Sequence, residues 1–175
     1  LVFLIDESTS IHNPEGGGSP ENYGKLLRFA ATVVLSLGDT KVSQDGIRIG
    51  AVSFADGGSP LLYLNETLPS EDAAFDIAKK LIEAEADRSR VGRVNSPDNL
   101  THAGLATIRN ESRQADRGFR GGSAENRNPV LVMVLTDGNT RNAAGDAAEL
   151  LFRELSRSEY TDLPIEIAAF GIGSE

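Results

Sequence analysis

Two stretches of the chain are apolar without alternation, and both end abruptly in oxygen-bearing side chains. Leu1 to Ile5 runs into Asp6-Glu7-Ser8-Thr9-Ser10, and Val130 to Leu135 runs into Thr136-Asp137-Gly138-Asn139-Thr140. Short continuous apolar runs of this kind predict strands buried on both faces. Ile47 to Phe54 and Leu61 to Leu64 predict two further strands, and the turn signal Asp56-Gly57-Gly58 between them predicts a hairpin. A last strand is predicted over "IEIAAFGIG", Ile165 to Gly173.

Between these runs the apolar spacing changes to that of helices. Tyr23, Leu26, Leu27, Ala30, Val34 and Leu37 mark the first, with Ser19 as cap, Pro20 at the first helical position and Gly38 as the stop. Ala74, Ile77, Ala78, Leu81 and Ile82 mark a second, from Ser70 to about Glu85, with Glu71 and Asp72 in its first turn. Leu105 and Ile108 predict a third, from near Thr101 to Asp116; Ala147, Leu150, Leu151 and Leu155 predict a fourth. The Gly, Asn and Arg of "DRGFRGGSAENRNP" predict a loop. Strands alternating with helices predict an α/β domain: a doubly wound, mostly parallel sheet with one antiparallel edge strand from the hairpin and helices on both faces. The crossover rule then brings the ends of the Leu1 and Val130 strands to one edge of the sheet, so Asp6 and Asp137 are expected to be neighbours.

Composition narrows the function without fixing it. A length of 175 residues with 39% hydrophobic residues fits one domain over 1–175. A formal charge of −9 argues against nucleic acid and anionic membrane surfaces, which reward clustered Lys and Arg. The absence of cysteine excludes disulfides, thiolate metal sites and cysteine nucleophiles. No apolar run is long enough for a membrane-spanning helix. Because the sequence starts inside a strand, its N-terminus is expected to be truncated.

The candidate chemistry lies where the grease stops. Asp6, Ser8 and Ser10 alternate after one buried strand, Asp137 follows another, and Thr101 stands at a helix start; all are hard oxygen donors. A small cation such as Mg²⁺ takes about six oxygens and keeps several waters. Taken singly, each of these residues is most simply an N-cap or a turn former. Three alternating donors joined by an Asp from a second strand favour the cation site.

These residues carry a resemblance. The sequence resembles a von Willebrand factor type A domain, also called the integrin I domain, from "FLIDESTSI" through "IRIGAVSF" and "VMVLTDGNT" to "AAFGIG". The family's metal-ion-dependent adhesion site uses an Asp-x-Ser-x-Ser motif, a separate Thr and a separate Asp, which fall on Asp6, Ser8, Ser10, Thr101 and Asp137. The resemblance implies a Rossmann-like fold and a binding module without catalytic residues. It implies Mg²⁺, with Mn²⁺ or Ca²⁺ as alternatives, held directly by the hydroxyls and through water by the aspartates. An acidic residue, Glu or Asp, of a partner protein of the extracellular matrix or cell surface then completes the shell, with neither nucleic acid nor membrane insertion involved.

Departures from the family pattern are also visible. Glu7 stands where Gly is usual, His102 stands where Gly commonly follows the Thr, and "IHNPEGGGSPEN" is longer than usual. The family continues past "GIG" with another helix, a sixth strand and a C-terminal helix, so the C-terminal end is expected to be truncated too. Glu7 either faces solvent or adds charge that tunes the choice of ion and partner.

Two rival readings use the same residues. A haloacid-dehalogenase-like phosphatase also sets an Asp after each of two strands around Mg²⁺, but it needs a second carboxylate two residues after the first, where this chain has Ser8. A type A subunit of an intracellular ATPase-linked assembly would carry the same site, as would a matrix domain whose ion is incidental. Three N-x-S/T sequons, at Asn65, Asn99 and Asn110, lend weak support to an extracellular setting, and a glycan on Asn99 would crowd the site. His12 and His102 have no nucleophile beside them and read as structural. Arg109, Arg113, Arg117, Arg120 and Arg127 read as a solvated face and loop.

Overall fold

The computed structural model describes residues 1–12, 14, 18–67, 69–91, 100–112, 117, 130–137, 153–154 and 165–171. Strand β1 (Val2–Asp6) is buried at all five positions, because it lies at the centre of the sheet. It pairs in parallel with β2 (Gly50–Phe54) on one side and with β4 (Val130–Thr136) on the other. β3 (Gly58–Leu62) runs antiparallel on the far side of β2, and β5 (Ile165–Gly171) runs parallel on the far side of β4. The order β3-β2-β1-β4-β5 is a mostly parallel sheet with one antiparallel edge strand, as the sequence predicts.

Alternation along β1 sorts the core onto two faces. Phe3 and Ile5 pack with Leu26, Leu27 and Ala30 of α2 (Asn22–Leu37) and with Ile77 and Leu81 of α3 (Ala73–Val91), and the short α1 (Thr9–His12) adds the buried Ile11 to the same cluster. Val2 and Leu4 pack on the opposite face with Val52, Phe54 and with Leu105 and Ile108 of α4 (Thr101–Ser112). Each fully buried aliphatic or aromatic side chain is worth about 1.5–3 kcal/mol of transfer free energy. A central strand covered on both sides is therefore the most firmly held element, and the oxygens at its end inherit that rigidity.

Several boundaries differ from the sequence expectation for local reasons. α2 starts at Asn22, because Ser19 spends its hydroxyl and carbonyl on Glu21 N and Asn22 N in the turn before the helix; Gly38 does end it, its N–H bonded to Val34 O and Leu35 O. β2 starts at Gly50, since Ile49 donates its N–H to Thr67 Oγ1 at 3.0 Å and Ile47 forms an isolated bridge with Val42. β3 starts at Gly58 and stops at Leu62, with Leu64–Glu66 turning as a 3₁₀ helix. α3 begins at Ala73, so Glu71 and Asp72 precede it, and it extends to Val91. Arg109 is not on a solvated face: its Nε lies 2.7 Å from Glu154 Oε1, with side chains only 12% and 6% exposed. The expected loop over 116–129 apart from Arg117, most of the helix predicted around 147–155 and the residues after Gly171 lie outside the described residues.

Candidate metal centre at the carboxyl edge of the sheet

The register of the parallel strands assembles the site. Ile5 pairs with Leu135 and Asp6 with Phe54, so the carboxyl ends of β1, β2 and β4 reach the same edge together. Asp6 is the last residue of β1 and completely buried, and Asp137 immediately follows β4, half-buried. Asp6 Oδ1 accepts the Ser8 backbone N–H at 2.9 Å, an Asx-type turn that reverses the chain and turns the motif inward. Ser8 Oγ and Ser10 Oγ then lie 3.0 Å apart, both buried. The alternation of the motif thus becomes a convergence of oxygens.

Thr101 arrives from another element. Leu100 donates its backbone N–H to Ala55 O at 2.7 Å, which ties the start of α4 to the residue just past β2, and Thr101 is the first residue of that helix. The helix lies close to the sheet because residue 104 is Gly: a Cβ there would meet Leu4 Cδ1 at 2.5 Å and Phe54 Cβ at 3.0 Å. The long segment after the motif also returns to it. Ser19 N donates to Ile11 O at 3.0 Å, and a Cβ on Gly18 would lie 2.1 Å from Ser10 O, so glycine allows that close approach.

The electrostatics at Asp6 suit a cation. Burial pushes the Asp6 carboxyl above its ordinary value, hydrogen bonds from Thr136 and Ser8 oppose this, and the nearby charge of Asp137 raises it further. A cation beside two carboxylates would relieve both the desolvation and the like-charge repulsion. Among the described residues no group of three His, Cys, Asp or Glu side chains gathers, so the donor set is two carboxylates with hydroxyls. That set matches a hard cation taking oxygen ligands and retaining water. A small cavity of about 40 Å³ opens at the other end of the sheet, lined mainly by apolar residues including Val2, Val52, Leu62 and Ile108.

Comparison with known proteins is decisive for the family. The family model of the von Willebrand factor type A domain matches residues 1–175. The chain belongs to the von Willebrand factor type A family. It is 31% identical over 154 residues to the collagen alpha-6(VI) chain of Homo sapiens, an alignment covering 86% of this chain and 6% of that protein. It is 28% identical over 154 residues to the collagen alpha-4(VI) chain of Mus musculus, covering 88% and 6%. The chain therefore spans only a small part of the length of these relatives.

Solved structures show the same type A fold. Proximal thread matrix protein 1 from the mussel byssus, in a form with a zinc occupied MIDAS motif, superposes with a TM-score of 0.63 at 24% identity, over 99% of this chain and 37% of that one. A manganese-loaded TRAP protein of Plasmodium vivax gives 0.61 at 16% identity, over 98% and 57%.

Within this type A domain, one participant escapes sequence reading. Thr136 donates its Oγ1–H to Asp6 Oδ2 at 2.6 Å, so both oxygens of that carboxylate are engaged. The signal was available in principle: once β1 and β4 pair in register, the residue after Leu135 must lie beside the residue after Ile5. Glu7 does not face solvent. It is 7% exposed and its backbone N–H donates to Phe54 O at 2.9 Å, locking the motif to β2. His12 packs against Tyr23 at 5.5 Å between ring centroids, and burial lowers its pKa, which keeps the ring neutral near pH 7 and fits a structural role. His102 is half-buried in the first turn of α4.

Proposed function

We propose that this domain is a divalent-cation-dependent protein-binding module, with Asp6, Ser8, Ser10, Thr101 and Asp137 as the metal site. The single observation that carries the reading is the buried Asp6 carboxylate held beside two hydroxyls 3.0 Å apart, with a second aspartate adjacent. Ser8, Ser10 and Thr101 offer neutral oxygens, and Asp6 and Asp137 supply the charge. Thr136 and the Ser8 amide fix the orientation of Asp6 by occupying one lone pair on each of its oxygens. A bound Mg²⁺ supplies an electrophilic centre that favours one more carboxylate, so a Glu or Asp of a partner protein is the fitting ligand. Mn²⁺ and Ca²⁺ are alternative occupants. On this reading the domain binds without turnover: Ser8 stands two residues after Asp6, where a phosphatase of the rival kind needs its second carboxylate. The kinship with collagen VI chains and a byssal matrix protein supports an extracellular matrix setting for these contacts.

Titration calorimetry with Mg²⁺ and Mn²⁺ tests the site. Saturable one-site binding that Asp6→Ala removes is expected; heats unchanged by Asp6→Ala would overturn the assignment. Release of captured matrix proteins by a chelator then tests whether adhesion depends on the ion.

A further inference from the structure

The turn after β3 carries a sequon that the cation site does not use. Asn65, Glu66 and Thr67 follow the edge strand, and the fold divides their side chains sharply. Thr67 is 1% exposed, and its Oγ1 accepts the Ile49 N–H at 3.0 Å. Glu66 accepts from Tyr63 N and, at the surface, from Lys80 Nζ, both at 2.9 Å, which pins the 3₁₀ turn. Asn65 is the most exposed of the three.

We infer that Asn65 is an N-glycan attachment site. The turn packs against the amino end of β2, where Leu64 lies over Gly50, whereas the cation site lies beyond Phe54 at the other end of that strand. Five residues of β strand separate the two ends, about 15 Å. An oligosaccharide on Asn65 therefore leaves the carboxyl edge open and stands beside the outer strand β3, where it hinders pairing with another chain. The Asn99 sequon, next to Thr101, has no such clearance in sequence.

The buried hydroxyl also sets the order of events. Sequon recognition requires the Thr hydroxyl, and in the folded domain that group is enclosed and already bonded to Ile49. Transfer consequently precedes closure of this turn. In the reaction the anomeric carbon of an oligosaccharide carried on a lipid pyrophosphate bonds to Asn65 Nδ2. The anomeric C–O bond to phosphate breaks, the lipid pyrophosphate leaves with the bonding pair, and the amide gives up one proton to a base of the transferase. The inference rests on the extracellular setting of the proposed function, but not on its cation.

The chain is secreted from a glycosylating eukaryotic cell behind a leader, and peptide mass spectrometry with and without glycosidase reads each sequon. Occupancy at Asn65 is expected, with loss of one oligosaccharide mass in Asn65→Gln and retention in Thr67→Ser. Unmodified protein refolded from bacteria is expected not to accept a glycan at Asn65 from the purified transferase. A secreted, folded chain whose Asn65 peptide is unmodified overturns the inference. Mg²⁺-induced thermal shifts on the same samples separate the two claims: occupied Asn65 with no shift in either form removes the cation reading alone, and equal shifts with Asn65 bare remove the glycan alone.

Discussion

The body and the end of β1 are built on opposite terms. Phe3, Leu4 and Ile5 are apolar, fully buried and packed on both sides. One residue later, Asp6 is equally buried but is a carboxylate whose charged form is penalised by desolvation and by Asp137. The first region stabilises the fold at every position. The second costs stability in the absence of a cation, and it is tolerable because the rigid strand beneath holds it in place. A buried carboxylate whose charged form is disfavoured, yet which hydrogen bonds from Ser8 and Thr136 hold at the end of a rigid strand, is the kind of group that suits a ligand of opposite charge.

The largest expected effect comes from breaking the body. Phe3→Ala removes a fully buried ring from the α2–α3 face and should cost about 3–5 kcal/mol in urea unfolding. A cost near zero would show that the central strand is not the platform described. Gly104→Val attacks the junction between the two regions, since its side chain would collide with Leu4 and Phe54 beneath the first turn of α4. Overpacking of this kind costs about 1–3 kcal/mol, and calorimetry should show weaker cation binding because Thr101 moves with the helix. The surface offers the small end of the scale. Arg28 and Glu85 pair at 2.9 Å with side chains 50% and 36% exposed, and Glu85→Gln should change stability by less than about 1 kcal/mol and leave cation binding unchanged.

The two regions were also unequally legible in the sequence. β1 and β4 could be placed to within a residue because a strand buried on both faces leaves an unbroken apolar run, and their parallel pairing foretold that Asp6 and Asp137 would share an edge. The role of Thr136 needed the register as well as the pairing, because its acceptor lies 130 residues away. Arg109 misleads for the same reason: the sequence reads it as part of a solvated face, yet its partner Glu154 is 45 residues further on. Ile47 and Ile49 read as strand because apolar alternation cannot reveal that the Ile49 amide is taken by a threonine hydroxyl from the next turn. Glu7 was ambiguous for want of a partner in sequence, and the fold resolves it by burying the residue against the end of β2. Local pattern reported elements; long-range pairing decided which polar groups do what.

The central claim is that Asp6 trades stability for a cation, and thermal unfolding of the wild-type chain and Asp6→Asn, each with and without Mg²⁺, tests it most directly. Because the folded-state pKa of Asp6 is raised, the folded chain holds its proton more tightly than the unfolded one. The metal-free protein therefore loses stability as pH rises from the ordinary carboxylate range through that raised value. Asp6→Asn should escape the penalty and unfold at a higher temperature than wild type when both lack metal. Adding Mg²⁺ at a hundredfold over its dissociation constant should then stabilise wild type by about 2.7 kcal/mol, or about 5–10 °C for a domain of this size, and leave Asp6→Asn unmoved. An Asp6→Asn domain that is less stable than metal-free wild type at pH 7, yet still gains stability with Mg²⁺, would contradict the account.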